Sequence, residues 1–359
     1  MNAPQSLLRQ VSDILATPLA PSRYLETINP LWSDHARGKV VEIQQEADDA
    51  VTLLIQPNRA FPAARAGQYV QLGVDIDGVR HWRCYSLTRV PGQQGRLLSV
   101  SVRQIEGGQV STYINRRLSV GALVHLKPPA GDFVLPASTT DRLLFISAGS
   151  GVTPVMGMLR ELQANRPHQD VVALHFTPDY PRCLFAGELR AMNSEHRAVR
   201  ISVTRGLGAD GDLRGHFSAE MLESVCPDWR DRTAYVCGPN TLIDACQEHW
   251  LAAGIPQQLK REAFMPKRAA AKPGAGGVVM FEVSGKQVKA DGQTSLLEAA
   301  ESAGLNPAHG CRMGICCSCL VTLKEGQVQD STSGEIHNEP GEQVRICVCT
   351  AAGDVKLEL

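Results

Sequence analysis

Cysteine is the residue type in this chain whose spacing points most directly to chemistry. Six of the 11 cysteines fall within 39 residues, a crowding that the packing of small apolar side chains does not produce. The six are Cys311, Cys316, Cys317, Cys319, Cys347 and Cys349. Three of them form a C-x4-C-x2-C run, Cys311, Cys316 and Cys319, and this spacing predicts three thiolate ligands of a 2Fe-2S cluster on one tight loop. A structural zinc site is the alternative, but such sites usually pair two C-x2-C knuckles and this segment has one.

The fourth ligand of such a cluster must come from a more distant segment. Cys347 and Cys349 are both available, and the spacing of the loop leaves the choice open. Gly310 and Gly314 have no side chains, so backbone N–H groups near them can approach the cluster sulfides and help to set the reduction potential.

A second segment, Arg83-Cys84-Tyr85-Ser86, combines a cation with an aromatic ring. A guanidinium binds phosphate through two parallel hydrogen bonds, and a phenol ring offers its face to another flat ring. Four such residues alone also fit an ordinary strand. Farther along, residues 107–112 (GGQVST) begin a helical segment, whose N-terminal N–H groups and dipole suit a pyrophosphate. Together the two segments predict a site for a flat ring that carries a diphosphate.

Two further loops suit a dinucleotide. Residues 149–154 (GSGVTP) stand between the strand-like LLFISA and a helical segment, where glycines allow close backbone approach to a nicotinamide dinucleotide. Cys237-Gly238-Pro239 follows the strand-like TAYV. A buried cysteine before a tight turn is the alternative interpretation of Cys237.

The elements that must position these residues predict several domains. Residues 39–137 contain six short strands with turn signals between them, a pattern typical of an antiparallel β-barrel. Residues 138–265 alternate apolar runs with helical stretches, which predicts an α/β domain with a parallel sheet. Residues 266–277 form a linker rich in Ala, Gly, Pro and Lys, and residues 278–359 fit a small α+β domain. Residues 1–38 form an N-terminal extension whose helical apolar stripe favours docking on the protein itself over a membrane surface.

These motifs support a resemblance to known families. Residues 278–359 resemble a plant-type ferredoxin domain, in which the fourth ligand precedes an Asp-Val pair by seven positions, and Cys347 has this spacing to Asp354. The preceding domains resemble the ferredoxin-NADP reductase superfamily through its R-x-Y-S and G-G-x-x-S motifs. Residues 67–70, 129–133 and the terminal Glu262-x-Phe264 also match superfamily patterns.

The resemblance implies FAD, NADPH or NADH, and a 2Fe-2S cluster as cofactors, with FMN as the alternative flavin. Arg83 would pair with a flavin phosphate, Tyr85 would cover the ring or ribose, and Ser86 would hydrogen-bond near flavin N5. Thr153 and Cys237 would face the nicotinamide and, with Ser86, form the catalytic set. The other implied cofactor-binding residues are Cys84, Gly108, Val110, Ser111, Thr112, Gly149, Gly151, Pro154, Gly238, Pro239 and Phe264. Thr204 and Arg205 stand where relatives bind the 2′-phosphate, which favours NADPH.

The order of the domains is that of the phthalate dioxygenase reductase family. Residues 24–32 and 77–83 are similar to strings in bacterial reductases that supply electrons to membrane acyl desaturases. The function expected from this resemblance is electron transfer from NAD(P)H through FAD and the cluster to a di-iron fatty acyl desaturase. A reductase of a soluble aromatic-ring or other oxygenase is one alternative. A redox sensor or carrier without its own NAD(P)H turnover is another.

Composition limits the partners. Lys and Arg number 36 against 37 Asp and Glu, so no general basic field exists for nucleic acid. Residues 278–359 hold 6 basic and 11 acidic residues, so the last domain is acidic and suits transient docking on a basic protein partner. The sequence has no signal-peptide pattern and no apolar run of membrane-spanning length, which predicts a cytoplasmic protein that approaches a membrane only through its partner.

Overall fold

The computed structural model describes residues 26, 28–90, 96–136, 142–205, 211–264, 275–310, 312, 314 and 317–359. The stripe of apolar residues predicted near the N-terminus lies outside them. The described residues fold into a barrel, a parallel-sheet domain and a small α+β domain, as the sequence predicts. Within them, no helix has the length and apolarity needed to cross a bilayer.

The first domain is a closed six-stranded antiparallel barrel. Its strands are β1 (Arg37–Ala47), β2 (Ala50–Pro57), β3 (Tyr69–Ile76), β4 (Val79–Arg89), β5 (Leu98–Arg103) and β6 (Leu123–Leu126), in the order β1-β2-β5-β4-β3-β6. Helix α1 (Gln109–Arg116) connects β5 to β6. Asp77 and Gly78 both have positive φ, so they make the tight turn that suits the right-handed twist between β3 and β4. The barrel interior is filled by fully buried residues such as Leu53, Leu72 and Leu87.

The second domain has a six-stranded parallel sheet. Its strands are β7 (Arg142–Ala148), β8 (Val171–Thr177), β9 (Arg197–Val203), β10 (Leu213–Arg214), β11 (Arg232–Gly238) and β12 (Leu259–Ala263), in the order β10-β9-β8-β7-β11-β12. The helices are α2 (Val152–Asn165), α3 (Ala186–Ala191), α4 (Ala219–Val225) and α5 (Asn240–Ala252). The strand order reverses between β7 and β11, and ligands of such sheets bind beyond the carboxyl ends of the strands at this reversal.

The third domain is a mixed sheet with one helix. Its elements are β13 (Gly277–Phe281), β14 (Lys286–Ala290), α6 (Leu296–Ser302), β15 (Leu320–Asp330), β16 (Ile336–His337), β17 (Gln343–Arg345) and β18 (Cys349–Leu357). Helix α6 begins with a capping box, since Ser295 and Glu298 satisfy each other's backbone N–H groups. The predicted strands near 278 and 355 pair in parallel at the centre of the sheet.

An ion-pair cluster lies where the strands β7 and β11 begin, at the end of the parallel sheet opposite the carboxyl ends of the strands. Arg232 is 6% exposed and donates to both oxygens of Asp228, at 2.8 and 2.9 Å, and to Asp170 at 2.8 Å. Its guanidinium also donates to the Leu143 carbonyl at 3.2 Å, so it joins β11 to β7. The hydrogen bonds from Arg232 lower the pKa of Asp228 to about 2.

Asp228→Asn tests this cluster. A carboxylate whose pKa falls on folding stabilises the native state above its unfolded pKa of about 3.9, and that contribution is lost as the pH falls toward 2. We expect the variant to lose roughly 1.5 to 3 kcal/mol of unfolding free energy at pH 7, the size of a hydrogen bond to a charged group. Thermal unfolding followed by circular dichroism should therefore show wild-type and variant converging between pH 4 and 2. Parallel curves over that range would contradict the assignment.

Candidate electron-transfer sites

The strand β4 carries the residues predicted to hold a flavin. Ser86 pairs with Tyr69 of β3, and Cys84 pairs with Gln71. Ser86 is 4% exposed, and its Oγ has no hydrogen-bond partner among the described residues. A buried hydroxyl without a partner costs free energy, so this position suits a bound group that exchanges a hydrogen bond with it. The donor set on this strand therefore fits a flavin.

Arg83 and Tyr85 precede Ser86 on the same strand and add complementary chemistry. Arg83 donates to the Trp82 carbonyl at 2.7 Å. Burial raises the pKa of Tyr85 well above its usual value, so the phenol stays neutral at physiological pH. Burial and the charge of Arg83 lower the pKa of His81. The strand thus presents a cation beside a neutral aromatic ring, a combination suited to a phosphate and a flat ring system.

The predicted pyrophosphate turn forms the start of α1. Gly108 is its N-cap and provides no side-chain cap. A Cβ on Gly108 would lie 2.6 Å from Ser111 Oγ and 3.0 Å from the Ile105 carbonyl oxygen, so glycine lets both groups pack closely on the turn. Ser111 Oγ accepts from the Ile105 N–H at 3.1 Å and donates to the Gly108 carbonyl at 3.3 Å, so here it holds the turn. The side chain of Val110 is buried in the barrel core, while Thr112 continues the helix through its N–H to Gly108.

The two dinucleotide loops meet at the reversal of the parallel sheet. Gly149–Gly151 form a short 3-10 turn that leads into α2. A Cβ on Gly151 would lie 2.2 Å from the Cys237 carbonyl oxygen, so the two loops are in backbone contact that only glycine allows. Thr153, 4% exposed, donates to the Ser150 carbonyl at 2.9 Å, and Pro154 is buried beside it.

Cys237 lies at the end of β11 and is fully buried. Burial, with the nearby Glu262 carboxyl, raises its pKa far above the ordinary thiol value, so Cys237 remains a neutral thiol. Gly238 packs against Ala148 and Leu242, and Pro239 is the N-cap of α5. The cysteine is therefore both the buried residue before a tight turn and a residue of the candidate nicotinamide site.

Glu262 is a site residue to which the sequence analysis gave no role. It pairs with Cys237 across β11 and β12, and its Oε2 has no hydrogen-bond partner among the described residues. Burial, and secondarily the charge of Asp132, raises its pKa to about 8, so this carboxyl is mostly protonated at neutral pH. Phe264, two residues on, is partly buried against the core under α2. The E-x-F string was the available signal, but burial of the carboxyl beside a thiol depends on strand pairing.

The residues predicted to recognise a 2′-phosphate follow β9. The Thr204 N–H donates to the Thr177 carbonyl at 2.9 Å, and the Arg205 N–H donates to the Pro178 carbonyl at 2.9 Å. The Arg205 side chain is exposed. Because parallel strands end at one edge of a sheet, both residues share that edge with the glycine loops.

The structure describes part of the predicted cluster site. Cys311 and Cys316 lie outside the described residues, while Cys319 is buried and Cys347 is half-buried. The Gly314 N–H donates to Cys347 Sγ at 3.3 Å, so Cys347 contacts the cysteine loop. Arg345 donates to the Gly314 carbonyl at 2.8 Å and to the buried Asp330 at 2.7 Å, which ties that loop to β15.

Cys349 has different surroundings. It is 1% exposed, and its Sγ lies within 4.8 Å of ligand atoms of Asp330 and His337. Burial raises its pKa to about 12. Asp330 already accepts from the Arg345 guanidinium and from the backbone N–H groups of Thr332 and Ser333, so the hydrogen bonds of its carboxylate are supplied by neighbouring residues. The contact with Gly314 makes Cys347 the better candidate ligand.

The cysteine loop lies against the barrel. Ser318, between Cys317 and Cys319, has its Oγ 3.4 Å from the side chain of Gln71 and 3.4 Å from Lys127 Nζ. Gln71 is the strand partner of Cys84. The candidate cluster site and the candidate flavin strand are therefore neighbours in this structure.

The comparisons with known proteins agree with this arrangement. An oxidoreductase FAD-binding domain matches residues 39–135, an oxidoreductase NAD-binding domain matches 145–248, and a 2Fe-2S iron-sulfur cluster binding domain matches 281–352. An NADPH oxidoreductase of Mycobacterium tuberculosis is 40% identical over 356 residues, which is 98% of this chain and 92% of that protein. The chain belongs to this family of flavin and iron-sulfur oxidoreductases.

Other relatives extend the comparison of this reductase. An NADH oxidoreductase of Escherichia coli is 28% identical and matches 89% of the chain and 97% of its own length. A glycine betaine monooxygenase reductase subunit of Pseudomonas aeruginosa is 29% identical and matches 89% and 94%. The structure of phthalate dioxygenase reductase shares the fold, with a TM-score of 0.64 at 22% identity over 90% of this chain and 97% of that chain. The predicted family, fold, domain order and cofactor classes are confirmed.

Arg83→Ala tests the flavin site of the reductase. Removing the guanidinium leaves a diphosphate without its cation, at a cost of about 2 to 4 kcal/mol for a partly buried pair. The purified variant should therefore contain little FAD, measured by its visible absorbance and by titration of the apoprotein. Arg80→Ala is the matched control, because Arg80 lies on the same strand but pairs with Asp75 at the surface. Wild-type FAD affinity in Arg83→Ala would show that Arg83 does not bind the phosphate.

Paired serine substitutions test the fourth cluster ligand. Cys347→Ser should abolish or strongly shift the rhombic electron paramagnetic resonance signal of the reduced cluster, because it replaces a thiolate that contacts the loop. Cys349→Ser should leave that signal nearly intact. The reverse result would assign the ligand role to Cys349.

Proposed function

We propose that this reductase takes electrons from NADPH and delivers them singly to a separate oxygen-activating iron enzyme, with a di-iron acyl desaturase as the specific acceptor. The observation that carries the electron-transfer part is the position of β4. Ser86, with its partnerless hydroxyl, lies on this strand, α2 packs on one part of it, and Gln71 beside it contacts the cysteine loop. Strand β4 is thus adjacent both to α2 of the candidate nicotinamide domain, from which electrons would arrive, and to the cysteine loop, to which they would pass.

In this proposal, the side chains of the protein bind the cofactors and orient them. Arg83 holds a phosphate of FAD, Tyr85 lies against the flavin or its ribose, and the Ser86 hydroxyl supplies a hydrogen bond to the ring. When bound at these residues, FAD would supply the ability to take up two electrons together and to release them one at a time. Thr153 and the neutral Cys237 thiol line the nicotinamide side without placing a charge there, and protonated Glu262 beside Cys237 can donate a hydrogen bond.

NADPH is proposed over NADH. The exposed Arg205 stands at the sheet edge where a 2′-phosphate would lie, and a cation there favours the phosphorylated dinucleotide. The Mycobacterium relative is named an NADPH oxidoreductase. The relative in Escherichia coli is named an NADH oxidoreductase, so the preference belongs to the residues after β9 and not to the fold.

The acidic ferredoxin domain supports a transient complex with the acceptor. Its exposed residues include Glu335 and Glu339 around β16, with Ile336, 54% exposed, between them in the sequence, and Leu320, 42% exposed, next to Cys319. Acidic charge around exposed apolar side chains suits a basic partner that must bind and leave quickly. The desaturase as acceptor rests on the similarity of residues 24–32 and 77–83 to desaturase-linked reductases.

A soluble oxygenase is the second candidate acceptor. Relatives over nearly the full chain are named as reductase subunits of glycine betaine monooxygenase and of stachydrine N-demethylase. An electron carrier without NAD(P)H turnover is disfavoured, because both nicotinamide loops are present and in contact.

Reconstitution tests the acceptor. Membranes that contain an acyl desaturase, supplied with the holoprotein and NADPH, should consume oxygen and form unsaturated acyl chains, with activity falling as salt rises, since exposed charges are screened beyond about 8 Å at physiological ionic strength. Glu335→Lys should reduce this activity, whereas Glu248→Lys, the same charge change on an exposed site in the parallel-sheet domain, should not. Absence of unsaturated product, with robust turnover by a soluble ring-hydroxylating oxygenase, would reject the desaturase and keep the reductase chemistry.

A further inference from the structure

Helix α2 connects the candidate nicotinamide site to the candidate flavin strand. It begins at Val152, next to Thr153, and packs on β4 one turn later. A Cβ on Gly157 would lie 2.3 Å from the Leu87 carbonyl oxygen and 3.7 Å from the Gly67 backbone nitrogen. In real structures a Cβ essentially never lies within 3.0 Å of a non-bonded heavy atom. The helix and the strand are therefore in direct backbone contact, which only glycine at this position allows.

Arg160 fixes the same contact one turn farther along α2. It donates from Nη1 to the Thr88 carbonyl at 2.8 Å. Its other nitrogens donate to the Glu188 carboxylate at 2.8 and 2.6 Å, and the guanidinium lies 5.2 Å from the centre of the Phe185 ring. The Arg160 side chain is 14% exposed and that of Glu188 is 39% exposed, so the bond to the Thr88 carbonyl is the better shielded part of this contact.

The contacts made by Gly157 and Arg160 share a feature that is not needed merely to hold the two domains together. The two carbonyl groups contacted, those of Leu87 and Thr88, belong to residues that immediately follow Ser86, and both α2 residues lie within two turns of Thr153. A helix is stiff, so a displacement at Gly157 is carried to the nicotinamide loop at its N-terminus. We propose that Gly157 and Arg160 are positioning residues that set the separation between the nicotinamide and flavin sites, an inference that rests on the proposed function.

The separation matters because hydride transfer requires near contact of the reacting atoms. In the reaction, the C4–H bond of NADPH would break and its hydrogen and two electrons would pass as a hydride to the flavin, which is reduced while NADPH is oxidised to NADP⁺. A misplacement of 1 Å can slow a reaction about a hundredfold. A Cβ at Gly157 must move from 2.3 Å to at least 3.4 Å from Leu87 O to reach ordinary contact, so we expect Gly157→Ala to displace α2 relative to β4 by about 1 Å.

The experiment measures hydride transfer separately from binding and stability. Holoprotein carrying Gly157→Ala is mixed with NADPH in a stopped-flow instrument, and the bleaching of flavin absorbance gives the rate of the first turnover. We expect this rate to fall about a hundredfold, with unchanged FAD content and an NADPH dissociation constant within threefold of wild-type. Arg160→Gln should slow it as well, and Arg160→Lys should restore part of the loss because it keeps the charge beside Glu188.

Arg232→Gln is the matched control, since Arg232 is also a nearly buried, multiply bonded arginine of the same domain but lies at the opposite edge of the sheet. It should lower the melting temperature and leave the hydride-transfer rate unchanged. The proposal is wrong if Gly157→Ala and Arg160→Gln keep the wild-type rate, or if they slow it only through lost FAD or weaker NADPH binding. Failure of the wild-type holoprotein to oxidise NADPH would instead overturn the proposed function.

Discussion

Close backbone approach is the constraint on which the arrangement of the sites depends. Electron transfer along this chain needs three sites within short reach, and side chains between them would hold them apart. Glycine removes that obstacle at Gly151 against Cys237 and at Gly157 against Leu87. The first contact joins the two nicotinamide loops, and the second joins that pair to the flavin strand. Because interiors are close-packed, neither contact tolerates an added methyl group without a shift of the backbone.

Buried polar side chains that lack hydrogen-bond partners among the described residues also occur in the candidate flavin and nicotinamide sites. Ser86 and Glu262 each retain a buried polar oxygen that finds no partner among the described residues. Buried polar atoms are usually hydrogen-bonded, so each of these two positions can exchange a hydrogen bond with a bound group. The neutral thiol of Cys237 adds no charge there. Ser86 and Glu262 therefore offer polar atoms to bound ligands, and the neutral Cys237 thiol places no charge beside the nicotinamide.

Local patterns in the sequence were sufficient for the fold class and most site segments. The cysteine run, the Arg83–Ser86 segment and the glycine loops each carry their signal within a few residues, and the structure places them at one barrel strand and one sheet reversal. Arg160 was not predictable, because its partners Thr88 and Glu188 come from distant segments. The same reason hid the role of Glu262 and the Arg345 contact with Gly314, which depend on pairing between strands. The domain bounds and the individual site roles stay predictions.

The contact between barrel and ferredoxin domain has a different character from the contact between barrel and α2. It uses long hydrogen bonds of 3.4 Å, in which Gln71 Nε2 and Lys127 Nζ donate to Ser318 Oγ. Basic side chains also face one another there, since burial and then the neighbouring Arg83, His309 and Arg312 lower the pKa of His81. Like charges oppose close docking, while the hydrogen bonds favour it, so the net attraction is small. We infer that the hydride step, which needs fixed geometry, uses the rigid contact, and that the cluster loop uses the weak one because it must also reach an external acceptor.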